Sequence, residues 1–309
     1  MFEHLVGQDE VKRILNFYFE GWKHSNRTPF LLLNGAKGLG KTEFAKAFAA
    51  KQKAVDEKRK ISRKFIELNC SSFKKVDQFF EQIFIPFLQD GHVTILFDEA
   101  HMLPNPLVQA FLTVCNVQDN PVQRFTWQES EAVFDFTRLS FMFATTELDQ
   151  LFGPFKDRLT QIDFEDYSKD ELGRILSLKC DSPISDSVLP LIVDTTRGNA
   201  RSAVKRAMEI NLFCSQHKTK VFGEKEWKKL SFMLGIKPLG LSNTELHILK
   251  VLQERGSCSL QMLASATGLS RKAIQREAEV HLLKFGLMKI DGQRKLTAPG
   301  EKILTQIHK

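Results

Sequence analysis

Residues 30–42 read FLLLNGAKGLGKT. Phe30 to Leu33 form an apolar run of the length of one buried strand, and it stops at a turn holding Gly35, Gly38 and Gly40. From Lys41 the pattern changes. Phe44, Ala45, Phe48 and Ala49 fall at i, i+1, i+4 and i+5, one apolar face of a helix expected over 41–54. Strand, glycine turn and helix in that order supply the context that G-x-x-x-x-G-K-[ST] requires. Glycines let the chain curl so that successive N–H groups face one point, and the positive end of the following helix reinforces the concavity. Such a loop suits the phosphates of ATP. Gly35, Lys37, Gly38, Leu39 and Gly40 would line it, Lys41 would reach the β- and γ-phosphates, and Thr42 would offer its hydroxyl to Mg²⁺. Glu43 follows in the same helical turn and joins the candidate nucleotide contacts.

Downstream, VTILFDE at 93–99 is a second buried run, ending in two carboxylates. Phosphoryl transfer to water needs two separate acidic functions. Asp98 is expected to hold the magnesium shell, and Glu99 to orient and deprotonate the attacking water. An acidic strand end alone is a weak signal, since solvated turns look similar; beside a phosphate loop it is a strong one. His101 completes Asp-Glu-Ala-His, and both a structural and a coupling role stand for it.

Further strands are expected at 65–68 and 139–144, separated by amphipathic stretches. Buried runs alternating with helices make this an α/β chain with a parallel sheet covered on both faces. KQKAVDEKRKISRK at 51–64 carries seven basic and two acidic residues and reads as a solvated helix end and loop, or alternatively as a DNA-facing loop. Residues 121–138 alternate apolar and polar positions as a β-hairpin does. Beyond Tyr167 four helical patterns follow, and a turn at Lys237-Pro238-Leu239-Gly240 leads into the last segment. The expected divisions are 1–165, 166–236 and 237–309.

Charge singles out that last segment. Residues 237–309 hold 12 Lys and Arg against 6 Asp and Glu, whereas the first 236 hold 32 against 31. A basic module on a neutral body suggests a polyanion partner. Ser242 caps a helix with Glu245 at the third position, a second helix ends at Gly268, and SRKA at 270–273 opens a third with basic residues in its first turns. LMKI and RKLT then flank Asp291-Gly292 as a short hairpin. Lys272, Arg276, Arg294 and Lys295 are the candidate phosphate contacts, which position a protein without reading sequence. Protein docking is the competing use of such a module.

Composition excludes several classes. Hydrophobic content of 42% and charged content of 26% are globular values. No apolar run approaches the ~18–20 residues needed to span a bilayer. MFEHLVGQDEVKR has mixed charge and no apolar centre, so no secretion signal is read and a cytoplasmic protein without a membrane partner is expected. Five scattered cysteines with no CxxC pair give little support to zinc or a disulfide framework.

Taken in order, FEHLVGQ at 2–8, GLGKT at 38–42, FDEAH at 97–101, ATT at 144–146, DRL at 157–159 and RGNAR at 197–201 resemble the RuvB family along almost the whole chain. RuvB proteins are AAA+ motors that drive branch migration of Holliday junctions. The resemblance implies an AAA+ P-loop domain, a small helical lid domain and a C-terminal winged helix. It places Val6 at the adenine pocket, Thr146 as the sensor-1 residue, Arg158 as an arginine finger acting on the neighbouring subunit's nucleotide, and Arg201 as the sensor-2 arginine. It further implies a homo-oligomeric ring, hexameric in the family, acting on branched or duplex DNA. A RuvA-like junction-binding partner would dock on the 121–138 hairpin through Phe125, Trp127, Val133 and Phe134, though the same four residues equally suit packing on their own domain. The chain departs from the family at Ala36-Lys37, where two prolines are usual, and at Lys156, where another arginine is frequent. Clamp loaders, Orc/Cdc6-like initiators and a nucleotide-switched DNA-binding scaffold are the rival readings.

Overall fold

The computed structural model describes residues 2–116 and 120–307. They divide into two compact units, 1–167 and 168–309. Chain order in the first unit is α1 (Asp9–Ser25), β1 (Leu31–Asn34), α2 (Lys41–Lys58), β2 (Arg63–Asn69), α3 (Val76–Phe79), β3 (His92–Asp98), α4 (Asn105–Val114), β4 (Val122–Trp127), β5 (Ser130–Asp135), β6 (Leu139–Thr145), α5 (Gly153–Lys156) and β7 (Thr160–Asp163). Helix α3 runs on into a π-helical stretch, Phe80–Leu88, that carries Pro86 inside it.

Five strands form one parallel sheet in the order β2-β3-β6-β1-β7. Central strands must be apolar on both faces, and β1, β3 and β6 are: Leu31, Leu32, Leu33, Ile95, Leu96 and Phe143 have no exposed surface. Aromatic rings fill one side of the sheet. Phe97 stacks on Phe143 at 4.9 Å, and Phe155 meets Phe143 edge-on at 5.2 Å. Because all five strands run the same way, the loops leaving β1, β3 and β6 emerge at one end, where ligands of open α/β sheets bind.

The charge run at 51–64 differs from its sequence reading. Helix α2 extends to Lys58, and three of the polar side chains in the run are interior: Gln52, Asp56 and Arg63 are at most 3% exposed. Arg63 Nε donates to Asp56 Oδ2 at 2.6 Å, and Nη1 donates to Thr94 Oγ1 at 3.3 Å. Thr94 donates in turn to Gln52, which donates to Ser140. Burial pulls the Arg63 guanidinium below its usual value while Asp56 opposes that shift. The remaining lysines of the run are solvated, as counted charge suggests; a pair of opposite charges seven residues apart had folded inward.

The 122–135 pairing is a hairpin, β4 against β5. Its aromatic residues turn toward their own domain. Phe125 and Trp127 stack on Phe80 at 5.7 and 4.9 Å, Trp127 Nε1 donates to Asp77 at 2.8 Å, and Phe134 is wholly buried. Of the two uses open for these four residues, packing on their own domain accounts for Phe125, Trp127 and Phe134, while Val133, paired with Arg124, shares the outer face with Arg124, Thr126 and Glu131.

The second unit contains α6 (Lys169–Lys179), α7 (Leu189–Asp194), α8 (Ala200–His217) and α9 (Glu224–Met233). It continues with α10 (Asn243–Arg255), β8 (Ser257–Cys258), α11 (Leu260–Thr267), α12 (Arg271–Ala273), α13 (Val280–Lys284), β9 (Met288–Asp291), β10 (Gln293–Leu296) and α14 (Ala298–Ile307). Ser242 accepts from the Glu245 N–H while Glu245 accepts from the Ser242 N–H, the reciprocal cap read from the sequence. A π-helical segment, Ile274–Glu279, lies between α12 and α13, so the third helix of this module is not regular throughout. The β9–β10 wing is joined by β8 as a third strand, which the sequence did not signal. Among the described residues no helix is long and apolar enough to cross a membrane.

Candidate active site

The loop between β1 and α2 owes its shape to two glycines. Gly40 has φ +95° and a Cβ there would sit 3.2 Å from the Tyr167 hydroxyl; at Gly35, φ +150°, it would lie 2.9 Å from the Phe164 backbone oxygen. Side chains are excluded by both backbone angle and space. Gly40 also opens α2 without a side-chain cap, so the first-turn N–H groups remain aimed into the loop. Lys41 is buried and bends across that concavity, donating to the carbonyls of Gly35 at 2.6 Å and Ala36 at 3.0 Å. Leu39 is buried beneath the loop, and its carbonyl accepts from Tyr167 at 3.0 Å. Ala36 and Lys37 form the exposed crest.

The end of β3 supplies the carboxylates. Asp98 Oδ1 accepts from the Glu99 N–H at 3.0 Å. Burial raises the Asp98 carboxyl above its ordinary value; the Glu99 N–H opposes this, the Glu99 charge adds to it, and the Lys41 ammonium counteracts it. Glu99 takes a left-handed conformation, φ 54°, which swings its side chain off the strand line. There Thr146 Oγ1 donates to Glu99 Oε2 at 3.1 Å. The register explains the meeting: Phe97 pairs with Phe143 and Asn34 with Thr145, so residues 99 and 146 leave adjacent strands at the same end as the glycine loop. Thr146 thus touches the carboxylate named as base.

Sequence reasoning missed Thr145. Fully buried, its hydroxyl lies 2.9 Å from His101 Nδ1 and accepts from the Glu147 N–H at 3.1 Å. His101 Nδ1 is also 3.6 Å from Glu99 Oε2, and Nε2 is 3.9 Å from Glu147 Oε1. His101 therefore stands beside the same Glu99 oxygen to which Thr146 donates. The only signal in the chain was the repeated threonine, which does not say which hydroxyl points where.

Thr42 and Asp98 offer a hydroxyl and a carboxylate, hard oxygen donors that fit Mg²⁺ shared with phosphates and waters. Among the described residues no three His, Cys, Asp or Glu side chains gather into an all-protein metal cage.

Beside the loop, Phe2 and Val6 are buried, and Phe2 meets Phe44 at 5.7 Å. Gln8 ties this segment to the chain just past β7, next to the residue that crowds Gly35: its Nε2 donates to the Glu165 carbonyl at 2.6 Å and its Oε1 accepts from the Glu165 N–H at 3.1 Å. Glu43 is exposed and lies 3.7 Å from Lys46.

Arg158 lies elsewhere. It precedes β7, whose Thr160 pairs with Leu31 at the start of β1, whereas the glycine loop leaves β1 after Asn34. Four residues of strand separate the two levels, about 13 Å at ~3.3 Å per residue. Arg158 Nε donates to Leu112 O at 3.1 Å and Nη1 to Pro154 O at 2.6 Å, beside a cavity of about 240 Å³ also lined by Arg27, Gln123 and Phe136.

In the second unit Arg201 is exposed on the first turn of α8. Its neighbour Arg197, with φ 61°, is ion-paired to the buried Glu245. Of the four basic candidates near the wing, Lys272 and Arg276 are exposed, and Lys295 sits 3.6 Å from Asp291 on the surface. Arg294 requires correction. It donates through Nε and Nη2 to the two oxygens of Glu279 at 2.7 and 3.3 Å, with side chains only 12% and 6% exposed. A guanidinium so committed holds the wing to the helix and is not an outward phosphate contact.

Two family models match the chain. "ATPase family associated with various cellular activities (AAA)" matches residues 31–166, and "RuvB C-terminal winged helix domain" matches 238–305. Among curated relatives, the "Holliday junction branch migration complex subunit RuvB" of Phytoplasma mali is 25% identical, covering 95% of this chain and 88% of its own. The protein of that name from Nostoc punctiforme is 22% identical, covering 93% and 78%. In fold, the chain is similar to the Thermotoga maritima RuvB Holliday junction branch migration motor, with TM-score 0.74 at 22% identity over 97% of this chain and 95% of that one. Aeropyrum pernix ORC2 is similar at TM-score 0.55 and 12% identity, covering 100% of this chain and 96% of that one.

Proposed function

We propose that this chain, which carries an AAA ATPase domain followed by a RuvB-type winged helix domain, is an ATP-driven DNA motor that moves branch points of Holliday junctions as a ring. The observation that carries the reading is the meeting of Glu99 and Thr146 at the strand end beside the phosphate loop. A carboxylate oriented by a hydroxyl, next to a buried ammonium, is the arrangement needed to align water on a terminal phosphate.

In this reading the loop N–H groups and Lys41 hold the phosphates. Thr42 and Asp98 hold Mg²⁺, which when bound neutralises charge on the transferring phosphoryl group. Glu99 takes a proton from the attacking water while Thr146 and His101 fix its rotamer. Val6, Gly35, Lys37, Gly38, Leu39, Gly40 and Glu43 surround the nucleotide. Arg158, a strand's length from its own loop, serves the neighbouring protomer, and Arg201 approaches the γ-phosphate from the lid. The lid is 166–236 and the winged helix 237–309. Lys272, Arg276 and Lys295 follow the DNA backbone. The ring is a hexamer, and a RuvA-like junction protein belongs to the same reading, meeting the outer face of the 121–138 hairpin, where Val133 lies beside Arg124.

The test is a synthetic four-way junction incubated with the protein, ATP and Mg²⁺. ATP-dependent conversion to two duplexes, lost in Glu99→Gln, is expected. ATP turnover without junction resolution, or turnover coupled instead to loading of a sliding clamp, would transfer the chain to the clamp-loader or initiator class.

A further inference from the structure

The helical segment and the basic segment of the second unit enclose a cavity of about 220 Å³. Arg197, Lys205, Arg206 and Lys237 line it, together with the hydroxyl residues Thr195 and Ser202. No carboxylate is among the residues lining it. Two carboxylates stand behind the cations: Glu245 pairs with Arg197, and Glu209 pairs with Arg206 and lies 3.9 Å from Lys205. Four cations against two anions leave the cavity electropositive. The Arg206 guanidinium lies 5.8 Å over Trp227, and its Nε–H is buried with no acceptor among the described residues. A buried charged donor lacking an acceptor is costly, so the Arg206 fork has unmet demand for negative charge beside the cavity it lines. Arginine forks matched with a nearby flexible lysine are the usual chemistry of phosphate recognition.

We infer that this cavity is a second DNA-backbone site, which takes a phosphodiester between α8 and the 237–241 turn, apart from Lys272 and Arg276 and from the β9–β10 wing. It rests on the DNA-binding part of the proposed function. A polyanion strand, rather than a free anion, fits two observations. Lys205 is 78% exposed and so suits the rim of an extended ligand rather than the floor of a closed pocket. The cavity also opens where the chain enters the segment that carries the excess positive charge. Phosphate held at this place lies against α8, the helix that bears Arg201, so strand grip and nucleotide contact share one rigid element.

The experiment measures duplex DNA affinity of the full-length protein by fluorescence anisotropy across a salt series. It compares wild type, Lys205→Ala/Lys237→Ala, Lys205→Glu/Lys237→Glu, and Lys272→Ala. Each phosphate contact contributes about 0.9 to the slope of log K against log salt, so the alanine pair should lower the slope by about 1–2. The glutamate pair should weaken binding further, with DNA-free ATP turnover unchanged in both. An unchanged slope in both pairs, with Lys272→Ala still impaired, overturns this site and leaves the DNA motor standing. Absence of DNA binding by wild type overturns both. Competition by millimolar inorganic phosphate in wild type, with slopes in the pairs unchanged, would make the cavity a free-anion site and also overturn the assignment.

Discussion

Replacing Arg158 by alanine removes a guanidinium that lies about 13 Å along the sheet from the loop of its own chain. Two of its donors bond the carbonyls of Leu112 and Pro154, which orients the group and leaves the rest of the fork for an outside acceptor. If that acceptor is a neighbour's γ-phosphate, the loss is the arginine-finger contribution, ~10³–10⁵ in turnover or roughly 4–7 kcal/mol. The structural cost is far smaller. Two bonds to backbone are worth about 1–3 kcal/mol together, so the variant should fold and bind ATP. The decisive assay mixes Arg158→Ala with Lys41→Ala subunits, each inactive alone. A site is active where an Arg158→Ala subunit, whose loop is intact, borders a Lys41→Ala subunit, whose arginine is intact. Random mixing in equal amounts in a closed ring makes about a quarter of the sites competent. Recovery of a substantial fraction of that activity is expected, measured by phosphate release. No recovery from the mixture, or near-normal turnover in Arg158→Ala alone, would refute the reasoning.

Thr146→Val keeps volume and deletes the hydroxyl that holds Glu99; kcat should fall by about 10²-fold or more while nucleotide affinity, read by a fluorescent ATP analogue, stays within a few-fold. Arg63→Ala leaves the buried Asp56 carboxylate without its partner, so urea denaturation should show a loss of about 3–5 kcal/mol; Arg63→Leu combined with Asp56→Leu should recover much of it, and an equal loss in the double variant would deny the pairing its role. His281 is held below its usual value, first by burial and then by the Arg197 charge. The folded state therefore favours the neutral ring, and this contribution to stability is present above pH about 6.5 and lost as pH falls toward the depressed value. Thermal melts of the full chain should lose midpoint temperature on acidification through that window, and His281→Asn should flatten the loss.

The parts of the site that were legible share one property: their constraints are local. A strand, a glycine turn and a capped helix each announce themselves within a dozen residues, so Gly35 to Thr42 and Asp98-Glu99 could be read directly. Long-range outcomes were not. The polar segment Thr160-Gln161-Ile162-Asp163 shows no strand periodicity, yet it pairs beside β1 because the sheet edge needs a hydrogen-bonding partner and not an apolar one. Asp56 and Arg63 looked solvated because charge counting does not see partners seven residues apart brought face to face by a helix end and a strand start. Arg294 failed for the mirror-image reason: its chemistry suited an external ligand, and Glu279 met that chemistry from within. Such choices are made by tertiary packing, which no local pattern encodes.

The bond from Tyr167 to the Leu39 carbonyl carries a mechanical consequence. Tyr167 is the last residue of the first unit, and Ser168 begins the second. The residue that closes the first unit is thus hydrogen-bonded to the loop that would feel a phosphate arrive or depart. A shift of Leu39 would reach Tyr167 across one hydrogen bond. In a machine this is a direct drive: the stroke leaves the chamber through the shortest available linkage. Tyr167→Phe should leave the fuel burning while loosening the crank.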